Sequence, residues 1–250
     1  MTASQLLRAA ALASASLAAL SLGACSKTGG AQNGAYVAGS AANAMAPATE
    51  PAASGAGQAP LPPRSEYQAV ADTPPPPLPV YDQPPIPGLG YIWTPGYWDW
   101  SNDYDDYYWV PGAWVLPPEP DFYWTPGYWR YYDGRYLFSG GYWGPGVGYY
   151  GGVDYGHGYA GTGYYGGRWQ GNRFYYNTQA NNLGRHRFNT VYSQPYRADH
   201  NRASYNGGPG GLRIRPSQGE VRAARARHFA PTARQVEAVR AARAEPRLRA

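Results

Sequence analysis

The chain has 250 residues and a formal net charge of +5, with 33 Gly, 25 Pro, 25 Tyr and 9 Trp but only 5 Phe and 2 Met. Leu, Ile, Val and Phe are scarce for a packed globule, so any core has to be built from aromatic rings, in one small domain with disordered flanks rather than two compact ones. The single cysteine, Cys25, excludes an internal disulfide and a zinc site built on thiolates.

Residues 1–24 read as a secretory signal: Arg8 is the only early positive charge, and the apolar run that follows is too short and too weakly apolar to persist as a membrane-spanning helix. It ends in Leu22-Gly23-Ala24-Cys25, which resembles the lipobox of bacterial lipoproteins. The resemblance implies cleavage before Cys25 and lipid attachment there. Two or three acyl chains anchor stably, at about 0.8 kcal/mol per buried methylene. The competing reading is an ordinary secretory signal with an incidental cysteine beside the cleavage point. Ser26 stands where an Asp usually means retention at the inner membrane, so by analogy the expected location is the cell envelope, outer membrane before inner.

Residues 25–90 are rich in Ala, Gly, Ser and Pro, including Pro74-Pro75-Pro76-Pro77 and Pro84-Pro85-Ile86-Pro87. So few large apolar residues do not offset the entropy of ordering, which predicts a disordered tether with polyproline II character. Charge is segregated. No Lys or Arg occurs between Glu66 and Trp129, whereas Asp99, Asp103, Asp105, Asp106, Glu119 and Asp121 lie among the aromatics.

Residues 91–205 contain a repeat. Tyr91-Ile92-Trp93-Thr94-Pro95-Gly96-Tyr97-Trp98 aligns with Tyr107-Tyr108-Trp109-Val110-Pro111-Gly112-Ala113-Trp114 and with Phe122-Tyr123-Trp124-Thr125-Pro126-Gly127-Tyr128-Trp129. A fourth copy, Tyr136-Leu137-Phe138-Ser139-Gly140-Gly141-Tyr142-Trp143, lacks the proline and the first Trp. Proline-rich lead-ins before the first and third copies make the larger unit a pair of repeats, present twice. The pattern resembles the YXWGXW, or WXXGXW, repeat family of bacterial envelope proteins, which implies an envelope context and no established activity.

Aromatic residues favour strands, and Pro-Gly is type II turn chemistry, so each repeat is predicted to be a hairpin about its Pro-Gly. That register pairs Trp93 with Trp98, Tyr91 with Trp100, Trp109 with Trp114 and Trp124 with Trp129. Asp133-Gly134 is a type I′ signal that pairs Tyr131 with Tyr136 and Trp129 with Phe138. The loop around Asn102 to Asp105 is two residues longer, which preserves side-chain parity. The expected fold is mainly β: a small antiparallel meander of aromatic hairpins, with the disordered tether before it and two short helices after it. A Trp face forms the core, each cross-strand pair contributing roughly 0.2–1 kcal/mol. The opposite face carries Tyr97, Tyr108, Tyr123, Tyr128 and Tyr142 as the candidate glycan-binding surface, unless the Gly/Tyr-rich segment folds back over it.

Residues 144–167 are either a low-complexity loop or an irregular β layer. A hairpin about Gly171-Asn172 and a short strand at Val191-Tyr192 follow. In the basic tail, 206–250, Ser217 with Glu220 and Thr232 with Gln235 form capping-box patterns that predict helices over 217–228 and 232–244. The second has only a thin apolar stripe, Val236 and Val239, insufficient for a core contact. From Arg213 onward ten Arg face Glu220, Glu237 and Glu245. This suits a polyanion such as lipopolysaccharide phosphate or acidic polysaccharide, nucleic acid being the least fitting in the envelope; the bland alternative is a solvated tail that balances the acidic middle.

His157, His186, His200 and His228 lack metal-ligand spacing, and nucleophile, phosphate-loop and dinucleotide motifs are absent. Asp103, Asp105 and Asp106 lack the glycine and distal Glu of an EF-hand, which leaves a cation in the 103–106 loop an open question against a solvated turn. No catalytic residue, metal or cofactor is expected. The expected function is a non-catalytic, lipid-anchored binding module for cell-wall or surface polysaccharide, through the tyrosine face and the basic tail. The alternative is a structural or self-associating envelope protein.

Overall fold

A computed structural model describes residues 64–250, within the compact unit that runs from Ser54 to Ala250. The signal, Cys25 and the tether up to residue 63 lie outside the described residues. The mainly β class is as the sequence implies. β1 (Ala69–Ala71) is followed by β2 (Ile92–Thr94), β3 (Tyr97–Ser101), β4 (Asp106–Val110) and β5 (Ala113–Val115). The second repeat pair forms β6 (Tyr123–Thr125), β7 (Tyr128–Tyr132), β8 (Arg135–Ser139) and β9 (Tyr142–Gly144). Beyond them come β10 (Asp154–Gly156), β11 (Tyr159–Ala160), β12 (Gly167–Gln170), β13 (Arg173–Asn177), β14 (Val191–Tyr192) and β15 (Tyr205–Asn206). Two helices close the chain, α1 (Gln218–Ala224) and α2 (Ala233–Ala244).

The Pro-Gly steps are not turns. β2 pairs with β5, placing Trp93 opposite Trp114, and β3 pairs with β4, placing Trp98 opposite Trp109. Both ladders keep one register, so a repeat pair is a single long hairpin closed by the loop at 102–105. Pro95-Gly96 lies opposite Pro111-Gly112 as a shared interruption. The second pair repeats the plan, with Trp124 opposite Trp143 and Trp129 opposite Phe138, closed at Asp133-Gly134. Asp133 (φ 44°) and Gly134 (φ 80°) both have the left-handed backbone that a type I′ turn needs, so this part of the predicted register holds.

The predicted pairing across Pro-Gly fails for a steric reason. None of Gly96, Gly112, Gly127 and Gly141 has positive φ, so none supplies a type II turn. Each is instead the floor on which an aromatic ring of the partner strand lies. A Cβ would stand 2.3 Å from Trp109 Cζ2 at Gly96, 2.4 Å from Trp93 Cζ2 at Gly112 and 2.4 Å from Trp124 Cζ2 at Gly141. At Gly127 it would meet Phe138 Cζ at 2.6 Å. The third-position ring of each repeat (Trp93, Trp109, Trp124 or Phe138) therefore covers the glycine of its paired repeat, reciprocally. Proline, lacking an N–H, fits the break because no ladder bond is missed there.

The rings form one core. Trp93 and Trp114 meet edge-on at 5.4 Å, Trp98 and Trp109 at 5.3 Å, and Tyr107 packs on Trp129 at 5.1 Å, joining the two hairpins. Trp129 Nε1 donates to Trp98 O at 2.8 Å across the same junction. The Tyr159 hydroxyl lies 2.9 Å from Trp124 O and 3.3 Å from Trp93 O, equivalent positions of the two repeat pairs.

The predicted tether ends earlier than residue 90. β1 pairs with β8, and Leu78 and Ile86 are buried. Trp98 Nε1 donates to Pro77 O at 3.4 Å, Trp114 Nε1 to Pro84 O at 2.8 Å and the Tyr107 hydroxyl to Thr73 O at 2.7 Å. A tryptophan core carries N–H donors that need acceptors when buried. A proline-rich strap offers carbonyls with few competing N–H groups, and this is what orders it.

Candidate functional site

The predicted tyrosine face is largely packed over: Tyr108 is buried, and Tyr97, Tyr123, Tyr128 and Tyr142 are half-buried. The Gly/Tyr-rich segment folds back as a packed layer in which Tyr150, Val153, Tyr155 and Tyr159 are buried. Tyr128 meets Tyr149 at 5.2 Å, and Tyr123 packs beside Tyr164 and Phe174. Tyr142 stacks on His228 at 3.8 Å, Tyr97 stacks on Phe138, and Tyr108 is only 1% exposed. Among the described residues eight tyrosines are buried and seven more are partly buried against the core, taking the place of the scarce aliphatic residues.

The tail is docked, contrary to the thin-stripe expectation. Both capping boxes form, Ser217 with Glu220 and Thr232 with Gln235, although α1 ends at Ala224, short of the predicted 228. Phe229 bridges Trp143, Ala242 is buried against Tyr108 and Val110, and the N–H of Ala250 donates to Tyr107 O at 3.0 Å. Trp143 Nε1 donates to Gln235 Oε1 at 2.9 Å, so the capping residue of α2 also satisfies a core indole. Small Ala242 allows the close approach, with Val239 of the stripe packed beside it.

Three of the ten tail arginines serve this docking. Arg227 pairs with Glu119 at 3.5 Å, Arg249 lies 3.7 Å from the Tyr104 ring centroid, and Arg243 donates to the Tyr108 hydroxyl at 3.3 Å through Nη2. The other seven, Arg213, Arg215, Arg222, Arg225, Arg234, Arg240 and Arg247, are exposed. Among the described residues none of their side chains is in an ion pair or over a ring.

Under α2, at the Pro-Gly seam, a cavity of about 210 Å³ is lined by Pro95, Pro111, Val239, Phe138, Arg234 and Asp99, among others. Asp99 Oδ2 accepts the Tyr108 hydroxyl at 2.8 Å and Oδ1 the Trp100 N–H at 2.8 Å. Burial raises the Asp99 carboxyl above its ordinary range, and the Tyr108 and Trp100 hydrogen bonds and the Arg243 charge only partly oppose it. Its protonated form is therefore favoured by folding. The associated stability is full below the unfolded carboxyl pKa and is lost as pH rises toward the folded one. Asp99→Asn is expected to flatten that loss and to leave stability at pH 7 equal to or above that of the unsubstituted chain. Urea midpoints at pH 4, 5.5 and 7 check it; a clear destabilisation at pH 7 would contradict it.

The loop at 102–105 is exposed, with Asp105 at φ 53°, and Asp106 Oδ1 accepts its neighbour's N–H from Tyr107. Among the described residues no three His, Cys, Asp or Glu side chains come together as a metal would require, and no helix is long and apolar enough to cross a membrane.

These features define an aromatic-repeat β protein with a basic, docked C-terminal segment. The model of the WXXGXW repeat family matches it twice, over residues 88–115 and 120–143, and the chain carries two copies of that repeat. Each matched copy is one of the long hairpins. Comparison with curated proteins and with solved structures finds no match.

Proposed function

We propose that the protein is a non-catalytic lipoprotein of the cell envelope, held by lipid on Cys25 with the outer membrane favoured, that binds anionic cell-wall or surface polysaccharide through its arginine tail. The observation that supports this most is the set of seven exposed tail arginines without ion pairs. A tail that only balanced the acidic middle would spend its arginines on Asp and Glu, and most of these are not so spent. Docking of α2 and Ala250 on the sheet limits how far the segment spreads, which lowers the ordering cost of binding. The aromatic repeats are the scaffold on which the tail is docked.

The test uses the full chain in a detergent without a sugar head group, titrated with polygalacturonate and with lipopolysaccharide. Saturable binding that weakens as salt rises is expected, falling at least tenfold in a variant with Arg222, Arg225, Arg234 and Arg240 each replaced by Gln. Salt-independent binding, or none, rejects the reading. The alternative is a structural or self-associating envelope protein. It gains ground if sedimentation shows concentration-dependent assembly without a ligand.

A further inference from the structure

Two segments that carry no repeat meet beside the sheet. One is the strap at 78–85; the other is the loop after β13. Asn177 is fully buried and fully used: Nδ2 donates to Tyr165 O at 2.9 Å and Gln194 O at 2.8 Å, and Oδ1 accepts from the N–H groups of Gln179 and Gln194. Asn182 then clamps the strap, its N–H donating to Gln83 Oε1 at 2.6 Å and its Nδ2 to Gln83 O at 2.9 Å. Strap and loop are thereby locked to each other.

Between them lies a depression of about 590 Å³, whose walls include Asp82, Gln83, His157, Gln179, Asn181 and Tyr196. His157 and Tyr196 are shared with a second depression of about 350 Å³, which continues along the strap to His200 and Arg202. Both volumes are in the range of ligand sites, roughly 300–1,000 Å³. The groove is an elongated one, lined by amides, two imidazoles, the Asp82 and Asp154 carboxylates, the Arg202 guanidinium and three phenols. Tyr196 is stacked on Tyr165 at 5.4 Å with the planes 12° apart. His157 is held between Tyr81 at 5.5 Å and Trp93 at 5.8 Å.

Two polar atoms of the lining residues are buried without a partner, Gln83 Nε2 and Asn181 Oδ1. Buried polar groups are nearly always hydrogen-bonded, and these two leave a spare donor and a spare acceptor among the lining residues. An apolar ligand would leave these amides unpaired, and a polyanion would ask for more cations than the groove holds. A sugar ring offers hydroxyls that both donate and accept, and C–H faces that pack on fixed aromatic rings.

We propose that this groove binds an uncharged oligosaccharide segment, read by Gln83, Asn181, Gln179 and Asp82 against the Tyr196 and His157 rings. The proposal rests on the polysaccharide reading above and adds a second, charge-independent site apart from the tail arginines. Calorimetry with the full chain, again in a sugar-free detergent, tests it with chitohexaose and maltohexaose as probes. At least one should bind saturably with little dependence on salt. Replacing the exposed Asp82 and Gln179 together with Ala should weaken binding at least tenfold with the melting temperature unchanged, whereas the tail Arg→Gln variant should bind as before. The proposal is overturned if neither probe binds, or if binding survives the Asp82→Ala, Gln179→Ala pair. If polygalacturonate still binds through the tail in that case, the groove alone is rejected; if it does not, the polysaccharide reading falls as well.

Discussion

Above pH 10 the protein is expected to unfold in one cooperative step, with a burst of tyrosinate absorbance. Tyr150, Tyr155 and Tyr159 are at most 3% exposed, and burial, the largest cause in each, raises their phenols above the ordinary value of 10.0. Tyr176 is pushed up to about 12 by the same cause. In the unfolded chain these groups lose protons near pH 10, while in the folded chain they keep them. The unfolded state then binds fewer protons, so stability falls as pH rises past 10. Each phenol that ionises only on unfolding contributes a slope of about 1.4 kcal/mol per pH unit. Tyr150, Tyr155 and Tyr159 together give about 4 kcal/mol per unit, against a total stability on the order of 5–15 kcal/mol. Two pH units above 10 therefore remove about 8 kcal/mol, of the same order as the whole stability. Tyrosinate absorbance and near-ultraviolet dichroism should change together, and the transition should be less steep in Tyr155→Phe, which keeps the ring and loses the bond to Gly127 O. A gradual titration of all tyrosines with the dichroism intact would refute the account.

Gly112→Ala is expected to cost about 3 kcal/mol or more, the upper range of overpacking. Its new methyl would stand 2.4 Å from Trp93 Cζ2, 2.9 Å from Trp93 Cη2 and 2.9 Å from the N of Gly96. Trp93 has little freedom to move away, being 1% exposed and wedged against Trp114 and His157. The backbone of the opposite Pro-Gly blocks the other direction. Gly88→Ala is the matched control, since a Cβ there meets nothing within 4 Å and the residue precedes the hairpin. Urea denaturation should show a large loss for the first and a change within about 0.5 kcal/mol for the second. Trp93→Phe in the Gly112→Ala background should recover part of the loss, because the smaller ring withdraws the two clashing carbons. Equal midpoints for the two alanine variants would show that the ring-on-glycine contact does not explain the repeat.

The spacing of the repeat misled the register for an instructive reason. Asp133-Gly134 was legible because a two-residue turn with left-handed backbone is a local matter, decided by the residues in it. Pro95-Gly96 was not, because its glycine serves a ring 13 residues away, Trp109, and nothing local separates a glycine that bends the chain from one that admits a neighbour. The proline-rich strap was unreadable for a similar reason. Its few apolar residues, Leu78, Tyr81 and Ile86, could not order it alone; the indole and phenol donors of the sheet do, through Pro77, Pro84 and Thr73 carbonyls. Surplus buried N–H groups in a tryptophan core were the available signal that some acceptor-rich segment must pack there.

The candidate site divides along the same line. The tail arginines and the capping boxes of α1 and α2 stand in the sequence as composition and as patterns spanning four residues. The amide groove does not, because Gln83, His157, Asn181 and Tyr196 come from distant, featureless stretches that only the packed layer brings together. By itself the sequence determined the mainly β class, the type I′ hairpin, the helix starts, the aromatic core and the basic tail, since each follows from short-range sterics, capping or composition. Tertiary structure alone decided which tryptophan faces which, that the tyrosine face is largely packed over and that the strap and tail are bound to the sheet. Those outcomes depend on where buried donors find acceptors and where large rings find space, and both are settled between residues far apart in the chain.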